Sequence, residues 1–155
     1  MNKVQDNVTI MALSKENLVP LIKETLSSDS PFVLTVTGYS MRPTLKSTGD
    51  KVELVSTESR PVKKGEIVFF ERENGDCVLH RVIKMQGNTL TINGDAQVWT
   101  ETVDASRVIG VVSRFNRNGK WIDCDGFMYR FYSKFWMISR PLRRVTIKVK
   151  GLLSR

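Results

Sequence analysis

The chain has one histidine and two cysteines in 155 residues. Cys77 and Cys124 lack the spacing of metal ligands, and a lone imidazole cannot complete a zinc site, so the sequence calls for no metal and no cofactor. A disulfide between them has no support, and reduced thiols fit the absence of an export signal. No run approaches the roughly 20 apolar residues needed to cross a bilayer, and Met1 to Met11 lacks the basic-then-apolar layout of a signal peptide. The expectation is a cytoplasmic protein, with peripheral attachment at the membrane left open. Internal repeats and low-complexity segments are also missing. The last absence is local: residues 127–155 contain no acid at all.

Those same residues carry Arg130, Lys134, Arg140, Arg143, Arg144, Lys148, Lys150 and Arg155. Elsewhere bases and acids balance, so the whole net charge of +8 lies in this tail. Phe127, Tyr129, Phe131, Tyr132, Phe135 and Trp136 are interleaved with it, and Met128, Phe131, Tyr132, Phe135 and Ile138 form one helical stripe. Basic residues with aromatics on an amphipathic segment suit the surface of an anionic membrane. Packing of the stripe against the rest of the domain is the competing reading. Beyond Pro141, Val145, Ile147 and Val149 alternate with polar residues, which a strand and a helix explain equally well.

From Pro31 to about Ile122 the chain reads as short strands: 32–37, 51–55, 66–71, 77–85, 89–93, 107–115 and 120–122. Asn74-Gly75-Asp76 and Asn118-Gly119 are the best hairpin tips. Val52, Leu54, Val68, Phe70, Val82 and Val111 are the expected core. Upstream, Leu18, Leu21, Ile22 and Leu26 predict a short amphipathic helix capped by Ser14, although Pro20 weakens it. The fold expected is mainly β, built of short antiparallel strands. Its divisions are an N-terminal segment with the helix (1–30), a β-domain (31–126) and the basic aromatic segment (127–155). A DNA-reading helix-turn-helix is not expected in so short an N-terminal segment.

The chemistry centres on Gly38-Tyr39-Ser40-Met41-Arg42-Pro43-Thr44-Leu45. Pro43 lacks an N–H and biases Arg42 away from the α region, so Ser40 lies on a forced bend after a strand. Such a bend exposes a hydroxyl and aims N–H groups beside it, which is what an oxyanion needs. His80 lies in Val78-Leu79-His80-Arg81-Val82-Ile83, with alternation placing it beside Val78 and Val82. Asp95, in the turn Asn93-Gly94-Asp95, offers a third partner. Serine, histidine and a carboxylate can form a nucleophile, a general base and an orienting acid.

With Gly49-Asp50-Lys51-Val52 and Gly65-Glu66-Ile67-Val68-Phe69-Phe70 between them, these motifs resemble, in order, those of the signal peptidase I family across roughly residues 32–113. The resemblance implies a signal-peptidase or repressor-protease-like β-domain and a serine endopeptidase that cleaves a leader or signal-type peptide. It makes Ser40 the nucleophile and His80 the base, as in the Ser/His branch of the endoplasmic reticulum and archaea. Asp95 matches the aspartate of the G-D motif, and Glu101 stands where that branch has a second aspartate. Asp104 lies close by, so the orienting acid is Asp95 first, with Glu101 and Asp104 as alternatives. Gly38 offers no hydroxyl, which leaves the oxyanion to backbone N–H groups, Ser40's included. Tyr39 and Met41 are the first candidates for substrate contact. A counterpart of the family's transmembrane anchor is not expected here. Two further readings remain: a non-catalytic β module binding membrane or nucleic acid through the basic tail, and self-cleavage as in repressor relatives. For the peptidase, nucleic acid is not an expected partner.

Overall fold

The structure, a computed structural model, describes residues 15–47 and 49–153. Eight antiparallel strands form one curled sheet: β1 (Phe32–Thr35), β2 (Lys51–Val55), β3 (Ile67–Glu71), β4 (Cys77–Gln86), β5 (Thr89–Asn93), β6 (Glu101–Asp104), β7 (Val108–Arg117) and β8 (Lys120–Asp123). Their order is β1-β2-β7-β3-β4-β5-β6, with β8 also paired to β7. Among the described residues three α-helices accompany the sheet: α1 (Lys15–Ser27), α2 (Phe127–Ile138) and α3 (Arg140–Leu153). No described helix is long and apolar enough to cross a membrane.

The alternation of β3, Ile67-Val68-Phe69-Phe70, explains why the sheet curls around two cores. Ile67 and Phe69 face one side with Val52, Leu54, Val112 and Phe115, whereas Val68 and Phe70 face the other with Val82, Leu90, Ile92 and Val111. A strand buried on both faces reads as a continuous apolar run. The single core expected from the sequence is therefore two. Register shifts at Glu53/Leu54, Phe69/Phe70 and Val82/Lys84 bend the sheet between them.

α1 closes the first core with Ile22 and Leu26, and Leu18 packs against them. Leu21, one residue off that face, is exposed, and Pro20 is accommodated inside the helix. The expected cap, Ser14, lies outside the described residues. At the β7–β8 tip, Asn118 and Gly119 both have positive φ, 52° and 80°, the conformation that a tight two-residue hairpin requires. Residues 145–149 are helical, which decides the open choice in the tail. Its Pro141 falls at the second position of α3, where the missing N–H has no intrahelical partner to lose.

Candidate active site

The loop after β1 is pinned from below and leaves its serine uncommitted. Gly38 turns the chain with φ 81°, Met41 and Leu45 are buried in the first core, and Leu45 N–H donates to the Met41 carbonyl at 2.9 Å. Ser40 is half-buried between these anchors. Among the described residues its hydroxyl has no hydrogen-bond partner, and the N–H groups of Ser40 and Met41 donate to none. Met41's side chain is core, so only its backbone faces the site. Tyr39 is 65% exposed, with the Arg42 guanidinium 4.4 Å from its ring centre.

The Gly94–Ala96 turn holds this loop by its backbone: Ala96 N–H donates to the Ser40 carbonyl at 2.8 Å. A methyl group on Gly94 would stand 2.6 Å from that same oxygen, so the close approach demands glycine. Gly94→Ala should displace Ser40 and slow any reaction at its hydroxyl by roughly 10- to 100-fold, since small misplacements carry penalties of that size. The rate of covalent labelling of Ser40 checks this; an unchanged rate would mean that the loop's position is immaterial.

His80 and Arg81 are neighbours on β4 and point to opposite faces, each to its own carboxylate. His80, 1% exposed, lies on the second core beside Phe70, and its Nδ1 is 2.8 Å from Glu101 Oε1 on β6. Arg72 donates Nε to Glu101 Oε2 and Nη2 to Oε1, both at 2.7 Å. Burial opposes Glu101's charge, but the Arg72 bonds outweigh it and hold the carboxyl below its ordinary pKa. An ionised carboxylate only accepts, so Nδ1 carries the proton and the lone pair is left on Nε2. Burial lowers His80's pKa, against the opposing pull of Glu101, so the ring is neutral at pH 7.

Asp95 is engaged elsewhere. Arg81 donates Nε to its Oδ1 at 2.8 Å and Nη2 to its Oδ2 at 2.7 Å, and the Thr44 hydroxyl also donates to Oδ2. Nη1 of Arg81 reaches the Gly65 carbonyl at 3.0 Å and Ser133 Oγ at 2.8 Å, and Thr44 Oγ1 is 2.9 Å from the Tyr132 hydroxyl. Burial works against Arg81's charge, yet the Asp95 bonds raise its pKa. The orienting acid expected first, Asp95, is thus a tie between the serine loop, β4 and α2; the histidine's carboxylate is Glu101. Asp104 is exposed and caps the turn Ala105–Arg107 through the Ser106 N–H. Ser40 and His80 are not hydrogen-bonded to each other. Active-site contacts of this kind are often open until a substrate tightens them.

The loop presents a bare serine hydroxyl, and on β4 a buried histidine is backed by a carboxylate and an arginine. The sequence model of the Peptidase S24-like family matches residues 1–113. The chain belongs to that family. No curated protein matches it. Membership makes this S24-like chain a serine peptidase-type hydrolase, and the mainly β fold agrees with it. Two residues that sequence reasoning left without a role, Arg81 and Arg72, bind the two acids of this S24-like domain. Their signal was present in the alternation of His80 with Arg81 and in Arg72's place just after β3.

Proposed function

We propose that the chain is a serine endopeptidase of signal-peptidase type, in the Ser/His branch, which cleaves a leader or signal-type peptide through an acyl-enzyme. The observation that carries the reading is the Arg72–Glu101–His80 relay, because a binding module has no chemical use for a buried imidazole fixed in one tautomer. Ser40 Oγ attacks the scissile carbonyl while His80 Nε2 takes its proton. The tetrahedral oxyanion is met by the N–H groups of Ser40 and Met41. His80 returns the proton to the leaving amine, and water activated by the same nitrogen then hydrolyses the ester. Glu101 holds the ring and stabilises the imidazolium that forms. Exposed Tyr39 lines the approach, and an extended peptide would be bound along its backbone, as when a strand is added to a sheet edge.

The test is reaction with an active-site serine acylator, read by intact mass and peptide mapping. One adduct on the Ser40 peptide is expected; a folded protein that takes no adduct at any pH overturns the proposal.

The pH profile gives a second check. His80 must be neutral to act, and its pKa is lowered from 6.5, so kcat/KM should rise with pH through a midpoint below 6.5. A lysine base in place of the histidine would put the rise in the alkaline range instead.

A further inference from the structure

α2 has two apolar faces and uses one of them on the sheet. Tyr129, Tyr132 and Ser133 face inward, where Tyr129 packs on Phe115 and all three enter the Arg81–Thr44 network. Phe127, Phe131, Phe135 and Ile138 recur at intervals of four, four and three on the opposite side and are 60–81% exposed. The stripe has a counterpart on α3, where Leu142, Val145 and Val149 recur at three and four and are also exposed. Bulky apolar side chains standing bare along two consecutive helices mark a contact surface.

The charge around the stripe is predominantly basic, with Asp125, paired to Arg60, the acid beside Phe127 and Phe131. Neither helix contains an acid, and Arg130 and Lys134, one turn apart, flank the apolar face of α2. Beside it lies a cavity of about 620 Å³ with Lys63, Lys64, Arg130, Lys134 and Arg140 in its wall and Ile138 at its edge. The two acids of the wall, Glu66 and Asp125, are both held by Arg60. Among the described residues, Nε and Nη2 of Arg140 are buried without a partner. Burial, then Arg144 and Arg143, depress its pKa, as befits a cation among cations.

We propose that the outer face of α2 and α3 docks on an anionic lipid bilayer, with the apolar stripe entering the acyl boundary and a lipid phosphate entering the cavity at Arg140. Charge complementarity selects this occupant. A second copy would set one predominantly basic face against another, and a nucleic acid would leave Phe127, Phe131, Phe135 and Ile138 uncovered. An amphipathic helix lying in the membrane plane satisfies both the stripe and the cations.

The experiment is co-sedimentation of the full chain with vesicles of phosphatidylcholine alone and of phosphatidylcholine with phosphatidylglycerol. Binding is expected to the mixed vesicles and to be at least about tenfold weaker to the neutral ones. Phe131→Ser with Phe135→Ser should reduce it by on the order of tenfold or more at unchanged melting temperature, because both rings are already exposed. Arg140→Gln should weaken it roughly fivefold. Ser40→Ala should bind like the wild type, so the result is independent of the peptidase reading. The proposal is overturned by failure to bind mixed vesicles at low salt, or by binding that survives the double phenylalanine change. Self-association abolished by that change would overturn it in favour of a second copy. Binding of inorganic phosphate without vesicles would do so in favour of a free anion, and of duplex DNA without vesicles in favour of nucleic acid.

Discussion

Asp95→Ala is expected to cost the fold about 3–5 kcal/mol, whereas Glu101→Gln should leave the melting temperature nearly unchanged and lower kcat by roughly 10²- to 10⁴-fold. The difference follows from where each carboxylate sits. Asp95 and Arg81 are both almost wholly buried, and removing the acid strands a guanidinium that also supports Gly65, Ser133 and Thr44. For a chain of this size the loss corresponds to a fall of roughly 6–20 °C in Tm. Glu101 is partly exposed, as is Arg72, so water replaces much of what its charge supplies to stability. Its amide substitute can present an N–H to Nδ1, which favours the tautomer with the lone pair on the wrong nitrogen. Thermal melts and single-turnover labelling on both variants separate the roles. An Asp95→Ala protein that melts like the wild type but has lost its reactivity would return the orienting role to Asp95.

Ser40→Ala should abolish the acyl adduct and lower peptide hydrolysis by about 10³- to 10⁶-fold. The hydroxyl has no partner among the described residues, so its loss leaves no orphaned group and the variant should melt with the wild type. His80→Gln should be about as slow, and the double variant no slower than either single change, because nucleophile and base act as a unit. His80 also contributes to the pH dependence of stability. Its folded pKa is below the unfolded value of about 6.5, so the stability of the buried neutral ring is present above that pH. It is lost as pH falls through the folded value.

The strands were legible where one residue in two is apolar and a turn follows. β6 was not, because Glu101-Thr102-Val103-Asp104 offers a single apolar side chain, Val103, to the second core. That omission left Glu101 an alternative behind Asp95, although its place opposite Ile92 brings it to the histidine's face. The choice between the acids was a matter of parity: Arg81 pairs with Asn93, so the residue turned toward the Asn93-Gly94-Asp95 corner is Arg81 and not His80. In the tail, alternation over five residues competed with a 3.6-residue repeat through Ile138, Leu142, Val145 and Val149. The longer pattern prevailed, and Pro141 at the second position of α3 suits it. The aromatic stripe expected along α2 is divided, Tyr132 going inward and Met128, Phe131, Phe135 and Ile138 outward.

The segment that holds all the net charge and the bare phenylalanines is the one a protein chemist would trim to obtain a tractable sample. Yet Tyr129, Tyr132 and Ser133 are a wall of the interior, and the Arg143 guanidinium grips the Asp95 carbonyl at 2.9 Å while lying 3.6 Å from the centre of the Trp136 ring. Cutting after Gly126 would open that wall onto water and uncover a paired charge that the rest of the chain cannot cover. The better preparation keeps both helices and gives their outer surface a detergent micelle to rest on.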